Sequence, residues 1–162
     1  MKAGKISYPG VGVAVGGVLG ILGVFMTWFS FAYVVGGQGL VVHLNGTHDW
    51  TGDLTLLASF GAFGFGGAYI LMDDPKIRRI TGILMTACSA FLLFMPLFGL
   101  TRLSAVVDVP GASTSYGAGI AVSFVGGVLA TVASFLAARE KAAGEVAPAE
   151  AEQVDSEAAT TA

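Results

Sequence analysis

Two uncharged stretches flank a short charged one in the middle of this chain and decide its fold: LTLLASFGAFGFGGAYILM (54–72), DDPKIRR (73–79) and ITGILMTACSAFLLFMPLFGLT (80–101). The uncharged stretches are 19 and 22 residues long. An α-helix needs about 20 apolar residues to cross the hydrocarbon core of a bilayer, so each stretch predicts one transmembrane helix. Because the connection between them is short, we expect the two helices to be antiparallel neighbours.

Two further stretches without Asp, Glu, Lys or Arg lie outside this pair, at residues 6–48 and 109–138. Gly36, Gly37 and Gly39 interrupt the first stretch, so we assign it a single helix. A helix satisfies its own backbone hydrogen bonds in lipid, whereas an open strand does not. The sequence therefore predicts an all-α integral membrane protein, a four-transmembrane-helix up-down bundle with spans at about 11–35, 54–72, 80–99 and 117–138.

The composition agrees with a membrane protein. Charged residues make up 12% of the 162 residues and hydrophobic ones 54%, whereas a soluble domain carries about 25% charged residues. This balance disfavours a soluble enzyme domain, a disordered protein and a nucleic-acid-binding protein. The first apolar stretch follows Lys2 and Lys5, as in a signal peptide, but it is too long for one and no clear cleavage site follows it. We expect it to remain in the protein as a helix.

The basic residues set the expected orientation. Seven of the eight basic residues lie on one side of the predicted bundle, and only Arg102 lies on the other. Since loops rich in Lys and Arg stay cytoplasmic, we expect both termini in the cytoplasm of a multi-pass plasma-membrane protein, in the inner membrane of a bacterium. Trp28 and Trp50 fall near the outer ends of the spans, where aromatic rings prefer the membrane interface. The seven basic residues on the cytoplasmic side are Lys2, Lys5, Lys76, Arg78, Arg79, Arg139 and Lys141.

Small residues at four-residue spacing predict where the helices approach closely. Lipid gives no hydrophobic drive between helices, so association depends on close backbone contact at small residues. Two alternatives stay open: these faces pack inside one bundle, or one of them binds a second copy or another protein. The helix-packing residues are Gly12, Gly16 and Gly20 in the first span and Gly119, Ser123 and Gly127 in the fourth.

The first outer loop is predicted to form a short β-hairpin. Asn45-Gly46 favours a type I′ turn, because both positions of that turn need a positive φ, and a β-rich run precedes it at 40–44. Thr51 or Asp53 is expected to cap the helix that follows the loop.

The same loop holds the candidate metal ligands His43, His48 and Asp49. Imidazole and carboxylate groups bind zinc, copper or iron. The spacing of these residues matches no firm ligand signature. A polar, solvated hairpin without a metal is the alternative.

The chain lacks the motifs of common catalytic sites. No Asp, Glu, Lys, Arg or His lies deep within a predicted span, where such residues mark proton relays and ion paths. There is no phosphate-binding loop, no zinc-protease motif and no hydrolase nucleophile elbow. Cys88, the only cysteine, lies in span three and is expected to be a packing residue. We therefore expect no enzymatic activity, no catalytic residue and no cofactor.

The chain divides into two predicted regions. Residues 1–141 form the transmembrane domain. Residues 142–162 are rich in Ala and Glu, with no basic residue and no apolar periodicity. Such a segment cannot bury enough apolar surface to fold, so it is predicted to be a disordered, acidic cytoplasmic tail.

Three features together resemble small uncharacterised four-span plasma-membrane proteins of actinobacteria. They are a Gly-rich first helix that ends in Met26-Thr27-Trp28-Phe29, an outer loop from Asn45 to Asp53, and a basic loop from Lys76 to Arg79. The resemblance covers residues 8–140 and implies four spans but no activity. The topology is also similar to that of claudin-type tetraspans. Claudins carry paired cysteines in the first outer loop and this chain has none there, so no junction function is implied.

These observations favour a non-enzymatic integral membrane protein that acts as an accessory or scaffold subunit of a membrane complex. Its expected partners are the lipid bilayer and other integral membrane proteins or a second copy of the chain. One alternative is a small-solute or lipid binding or permeation module. Another is a metal-binding redox accessory protein that uses the first outer loop. The polar residues available to a solute inside the spans are Ser59, Thr86, Ser89, Ser123 and Thr131.

Overall fold

The computed structural model describes residues 8–72, 74–106 and 113–160. Four helices make up the fold: α1 (Tyr8–Phe25), α2 (Trp50–Leu71), α3 (Pro75–Val106) and α4 (Ala118–Thr160). Each contains a stretch long and apolar enough to cross a membrane, which confirms the prediction of a four-span protein. The four stretches are Tyr8–Phe25, Trp50–Leu71, Pro75–Arg102 and Ala118–Arg139.

The helices form a closed ring of antiparallel neighbours. α1 packs against α2 and α4, and α3 packs against the same two helices. Gly10 near the start of α1 approaches Gly66 near the end of α2, while Gly17 approaches Ser59. This reversed order of contacts shows that α1 and α2 run in opposite directions. The antiparallel packing of spans two and three predicted from their short connection is also confirmed, since Gly61 of α2 lies beside Cys88 of α3, and Tyr69 further along α2 lies near Gly82 at the start of α3.

The first predicted span, 11–35, is wrong at its C-terminal end. α1 ends at Phe25, and Thr27–Val35 is strand β1. This segment, TWFSFAYVV, is as uncharged as a helical span, so charge spacing could not separate the two. Its aromatic and β-branched residues favour a strand. The hydrogen-bonding groups of its backbone pair with those of a partner strand.

The outer β-hairpin exists, but its turn lies elsewhere than predicted. β1 pairs with β2 (Gln38–Asn45) in antiparallel register, with Val35 opposite Gln38. The two residues between them, Gly36 and Gly37, have φ of 60° and 82°, as a two-residue hairpin turn requires. Asn45-Gly46 instead leads into a short 3₁₀ turn at Gly46–His48.

A third strand, β3 (Ser113–Tyr116), comes from the connection between α3 and α4 and completes the sheet in the order β2-β1-β3. It pairs antiparallel with residues 29–32 of β1. Sequence reasoning missed it, because a four-residue strand carries too short a pattern. The sheet lies at the end of the bundle where α1 ends and α2 begins, which we call the sheet end. The opposite end, with Lys76, Arg78, Arg79 and Arg139, we call the basic end.

Two buried clusters hold the fold together. The cluster within the bundle consists mainly of small and medium side chains, including Val13, Ala62 and Ala130. The cluster at the sheet end contains Trp28 and Phe29, and Leu44 of β2 packs against it. The sheet is therefore anchored to the helices by its apolar side chains. Large apolar residues on the outside of the bundle, such as Phe63 and Phe94, are in position to contact lipid.

α4 continues as a helix to Thr160, whereas the sequence predicts disorder from residue 142. In proteins most of the stability of a helix comes from tertiary packing of an amphipathic face, and this segment has no apolar periodicity in its sequence. The disordered acidic tail at 142–162 therefore stays a prediction, as does its separation from the domain at 1–141. Residues 161 and 162 lie outside the described residues.

Candidate functional site

The first outer loop does not gather its predicted metal ligands. His43 lies on β2, and its Nδ1 is 2.7 Å from the Ser30 hydroxyl on β1. The Nδ1 of His48 is 2.6 Å from the side-chain oxygen of Asn45. Among the residues that the structure describes, no group of three or more His, Cys, Asp or Glu side chains could hold a metal ion. The metal hypothesis gains no support and stays a prediction.

Asp49 has a structural role in the same loop. It is the N-cap of α2, where its carboxylate accepts hydrogen bonds from the backbone N–H and the hydroxyl of Thr51. A carboxylate there also suits the positive end of the helix dipole. The cap predicted at Thr51 or Asp53 is therefore misplaced by two residues or more. Asp is a preferred N-cap residue, and this preference could have located the cap at Asp49.

The predicted helix-packing residues lie at contacts inside the bundle. A Cβ placed on Gly12 would meet the side chain of Ala133 on α4, and one on Gly16 would meet the backbone of Gly126. Gly20 instead faces Ser59 of α2 and Leu92 of α3. The small residues of α1 therefore pack against other helices of the same chain.

The residues predicted on α4 contact two different neighbours. Gly119 and Ser123 lie against Gly23 of α1, whereas Gly127 lies against the backbone of Leu92 on α3. These residues, spaced four apart, thus lie where α4 contacts both of its neighbours. The hydroxyl of Ser123 is buried and has no hydrogen-bond partner among the described residues.

The two tryptophans differ in how far their side chains are exposed. Trp50 is 44% exposed and packs edge-on against Phe98, with the Arg102 guanidinium 5.4 Å from its ring centroid. Trp28 is only 1% exposed and belongs to the buried cluster at the sheet end, so its role at the membrane interface stays a prediction. Its indole N–H donates a 2.9 Å hydrogen bond to the carbonyl of Gly23. Trp28 thereby satisfies a carbonyl in the last turn of α1, one of the four that a helix leaves unpaired.

A cavity of about 930 Å³, with room for a ligand, lies at the basic end. It lies between the end of α2, the first turns of α3 and α4 near the end of its apolar stretch. Its volume is in the range of small-molecule sites, about 300–1,000 Å³. We call it the basic-end cavity. It is lined by Tyr69, Pro75, Arg78, Arg79, Gly82, Ile83, Met85, Thr86, Ala87, Ser134, Ala137 and Ala138.

The lining of this cavity changes from basic to apolar along the bundle axis. Arg78 and Arg79 lie in the first turn and a half of α3, whereas Met85 and Thr86 lie two turns further into the bundle. The rise of an α-helix puts about 10 Å between Arg79 and Thr86. Ile83 is 63% exposed, so the cavity opens sideways toward the surface that faces lipid. The arrangement can take a molecule that is charged at one end and apolar at the other.

Arg78 is held in a fixed position at the mouth of the cavity. Its guanidinium carbon lies 4.6 Å from the centroid of the Tyr69 ring, a cation–π distance. Its Nε is buried and has no hydrogen-bond partner among the described residues. A buried donor without a partner costs free energy, and the terminal nitrogens of the guanidinium, which are not among the buried atoms, are the ones open to an acceptor from outside the chain.

Two of the other polar groups that line the cavity, the hydroxyls of Thr86 and Ser134, are already hydrogen-bonded. The Thr86 hydroxyl donates to the Gly82 carbonyl at 2.9 Å. The Ser134 hydroxyl donates to the Ala130 carbonyl at 2.8 Å and lies 3.0 Å from the Ser89 hydroxyl. The arginines therefore provide the binding capacity for a polar ligand group, and the hydroxyls do not.

Sequence reasoning used these arginines only to orient the protein. The signal for the site was present in their spacing, since Arg78, Gly82 and Met85 follow one another at i, i+4 and i+7 on one face of α3. Gly82 leaves the space open, because a Cβ there would meet only the Tyr69 ring, at 3.7 Å. One sequence could not show that α2 and α4 leave that space unfilled.

No family model matches the chain, and no curated protein matches it either. The resemblance to small four-span proteins of actinobacteria therefore stays a prediction beyond the four spans themselves. The function has to be argued from the residues of the chain.

Proposed function

We propose that this is a non-enzymatic membrane protein that binds a lipid-like amphiphile in the basic-end cavity. The observation that carries the proposal is the cavity itself, which is large, open toward lipid and lined by both arginines and apolar side chains. This favours the lipid-binding alternative over the accessory-subunit hypothesis.

The distribution of basic residues supports a cytoplasmic position for this site. Lys76, Arg78, Arg79 and Arg139 lie at the basic end, whereas Arg102 lies at the sheet end. By the positive-inside rule the basic end faces the cytoplasm, with both termini there and the sheet on the outer surface. In a bacterium this is the inner leaflet of the plasma membrane. An amphiphile would enter sideways from that leaflet, between α3 and α4.

The test fills the cavity with a side chain. Gly82→Leu projects four carbons into the cavity, and Gly64→Leu is the matched control, because nothing lies within 4 Å of a Cβ at Gly64. Both variants are purified in mild detergent, and lipid that co-purifies is measured by native mass spectrometry. We expect bound lipid in the wild type and in Gly64→Leu but little in Gly82→Leu. Equal lipid retention in all three would contradict the proposal.

The accessory-subunit hypothesis is the second candidate, and the outer hairpin favours it. Within the part of the chain that the structure describes, β3 pairs with residues 29–32 of β1, so the hairpin projects beyond the described third strand. On this projecting part Val34 and Leu40 are 71% and 50% exposed, and Val41, opposite Ala32 at its edge, is 55% exposed. Exposed apolar side chains on a strand are typical of a contact surface.

This second candidate is tested by co-purification from native membranes. The chain is tagged at its N-terminus, and the wild type is compared with Val34→Ser/Val41→Ser. A stoichiometric membrane partner that the double variant loses would support an accessory role through the hairpin. Recovery of the wild type without a partner would count against it.

A further inference from the structure

We propose that the basic-end cavity selects an anionic phospholipid by its phosphate group, which Arg78 and Arg79 bind, over a zwitterionic lipid with the same acyl chains. This inference rests on the proposed function, since it presumes that an amphiphile occupies the cavity. It adds the charge of the headgroup and the residues that recognise it.

The geometry of Arg78 favours an oxyanion. The Tyr69 ring lies against the guanidinium group, with 4.6 Å between its centroid and the guanidinium carbon. A guanidinium group presents its N–H donors at its edge, in a fork that matches the oxygens of phosphate. Nε is buried, so the terminal nitrogens of that edge are the donors that a phosphate oxygen at the mouth of the cavity would reach.

The start of α3 does not provide the donors itself. The carboxylate of Asp74 accepts from the backbone N–H groups of Lys76 and Ile77, at 2.8 and 3.4 Å. The backbone N–H of Arg78 donates to the Asp74 carbonyl at 2.9 Å. These first-turn groups are therefore occupied, and recognition of an anion falls to the arginine side chains.

Two adjacent positive charges favour a headgroup with a net negative charge. Arg79 lines the same cavity as Arg78, so the mouth of the cavity carries two positive charges. A zwitterionic headgroup brings a cation of its own, which the two arginines repel. Basic pockets between helices on the cytoplasmic side bind anionic headgroups for this reason.

The apolar part of the cavity distinguishes a lipid from a free anion. Gly82, Met85 and Ala137 line the cavity beyond the arginines, at the depth where an acyl chain would continue from a headgroup. Inorganic phosphate alone would fill none of this apolar space. The lateral opening beside Ile83 leaves a path for the rest of the chain into the bilayer.

The experiment measures lipid selectivity in the full-length protein. Purified protein is exchanged into nanodiscs of equal parts phosphatidylglycerol and phosphatidylcholine with identical acyl chains, and retained lipid is counted by native mass spectrometry. We expect about tenfold enrichment of phosphatidylglycerol in the wild type, as one charge-assisted contact supports. Arg78→Gln should still retain lipid but lose most of the enrichment, and Arg78→Lys should be intermediate because it keeps the charge and loses the fork.

Arg102→Gln is the matched control, because it removes one positive charge at the sheet end. It should keep the enrichment of the wild type. Unchanged enrichment in Arg78→Gln and in Arg78→Gln/Arg79→Gln would overturn the inference. So would displacement of the lipid by millimolar inorganic phosphate, which would point to a free anion as the ligand. Thermal melting of each variant identifies any loss of fold.

The same samples separate this inference from the proposed function. If Gly82→Leu retains as much lipid as the wild type, the proposed function fails. If Gly82→Leu loses lipid while the arginine variants keep their selectivity, amphiphile binding stands and only the assignment of an anionic headgroup fails.

Discussion

Gly16 of α1 and Gly126 of α4 lie so close that a Cβ on Gly16 would stand 2.5 Å from the carbonyl oxygen of Gly126. The contact is reciprocal, since a Cβ on Gly126 would stand 2.6 Å from the carbonyl oxygen of Gly16. Two backbones can approach this closely only where neither residue has a side chain. Lipid tails are as apolar as the side chains, so helices gain little by moving apolar side chains out of lipid. Close backbone packing of this kind holds them together instead.

Replacement of Gly16 by Ala should therefore destabilise the bundle. The added methyl group meets backbone atoms, which cannot rotate away, so the helices must separate. Overpacking of this kind costs about 1–3 kcal/mol. The measurement is the melting temperature in detergent, with Gly64→Ala as the control on an open face of α2. A Gly16→Ala protein as stable as the control would show that α1 and α4 are further apart.

Replacement of Gly37 by Ala should weaken the outer hairpin for a different reason. Nothing lies within 4 Å of a Cβ at this position, but its φ is 82°, a conformation that costs an L-residue about 1–2 kcal/mol. Gly39→Ala is the control, because that site is equally open and its φ is not in the strained range. Hydrogen exchange of the β1 and β2 amides should accelerate in Gly37→Ala only. Equal exchange in both variants would argue against the turn at Gly36-Gly37.

Replacement of Trp28 by Phe should leave the last turn of α1 without its cap. The Gly23 carbonyl loses the indole N–H that lies 2.9 Å away, and it is left in a buried site. An unsatisfied buried group costs about 1–3 kcal/mol. Trp50→Phe, at a ring that is 44% exposed, should change the melting temperature much less. If the two substitutions have the same effect, the cap contributes nothing to stability.

Gly61 and Cys88 should behave as a coupled pair across α2 and α3. A Cβ on Gly61 would stand 2.5 Å from the Cys88 sulfur but 3.4 Å from its Cβ. Gly61→Ala is therefore expected to destabilise the protein, and Cys88→Ala to relieve much of that loss in the double variant. A double-mutant cycle on melting free energies should give a coupling within about 0.5–3 kcal/mol. Additive effects would show that the two residues do not touch.

The sequence predicted the four spans well because the cost of placing charge in lipid acts on each residue separately. Spans two, three and four are recognisable without knowledge of any neighbour, since each is bounded by charged residues such as Asp53, Arg79 and Arg139. The end of span one could not be found in this way. Thr27–Val35 is uncharged as well, and its strand depends on pairing with β2 and β3.

The candidate site was harder to predict than the spans. Arg78 and Arg79 were visible as a topology signal, but the space beside them depends on how α2, α3 and α4 pack. His43 and His48 were predicted as metal ligands from their residue types alone. In the fold they face separate partners, Ser30 and Asn45.

The sequence by itself therefore determined that this protein lies in a membrane and crosses it four times, because hydropathy and the cost of a buried charge are properties of single residues in their local run. Only the tertiary structure decided where α1 gives way to a sheet, which glycines face which helix, and that Trp28 caps α1. It also decided that a cavity remains open beside Arg78. Each of these depends on contacts between residues distant in the chain, and a local pattern does not record which distant residue will fill a given space.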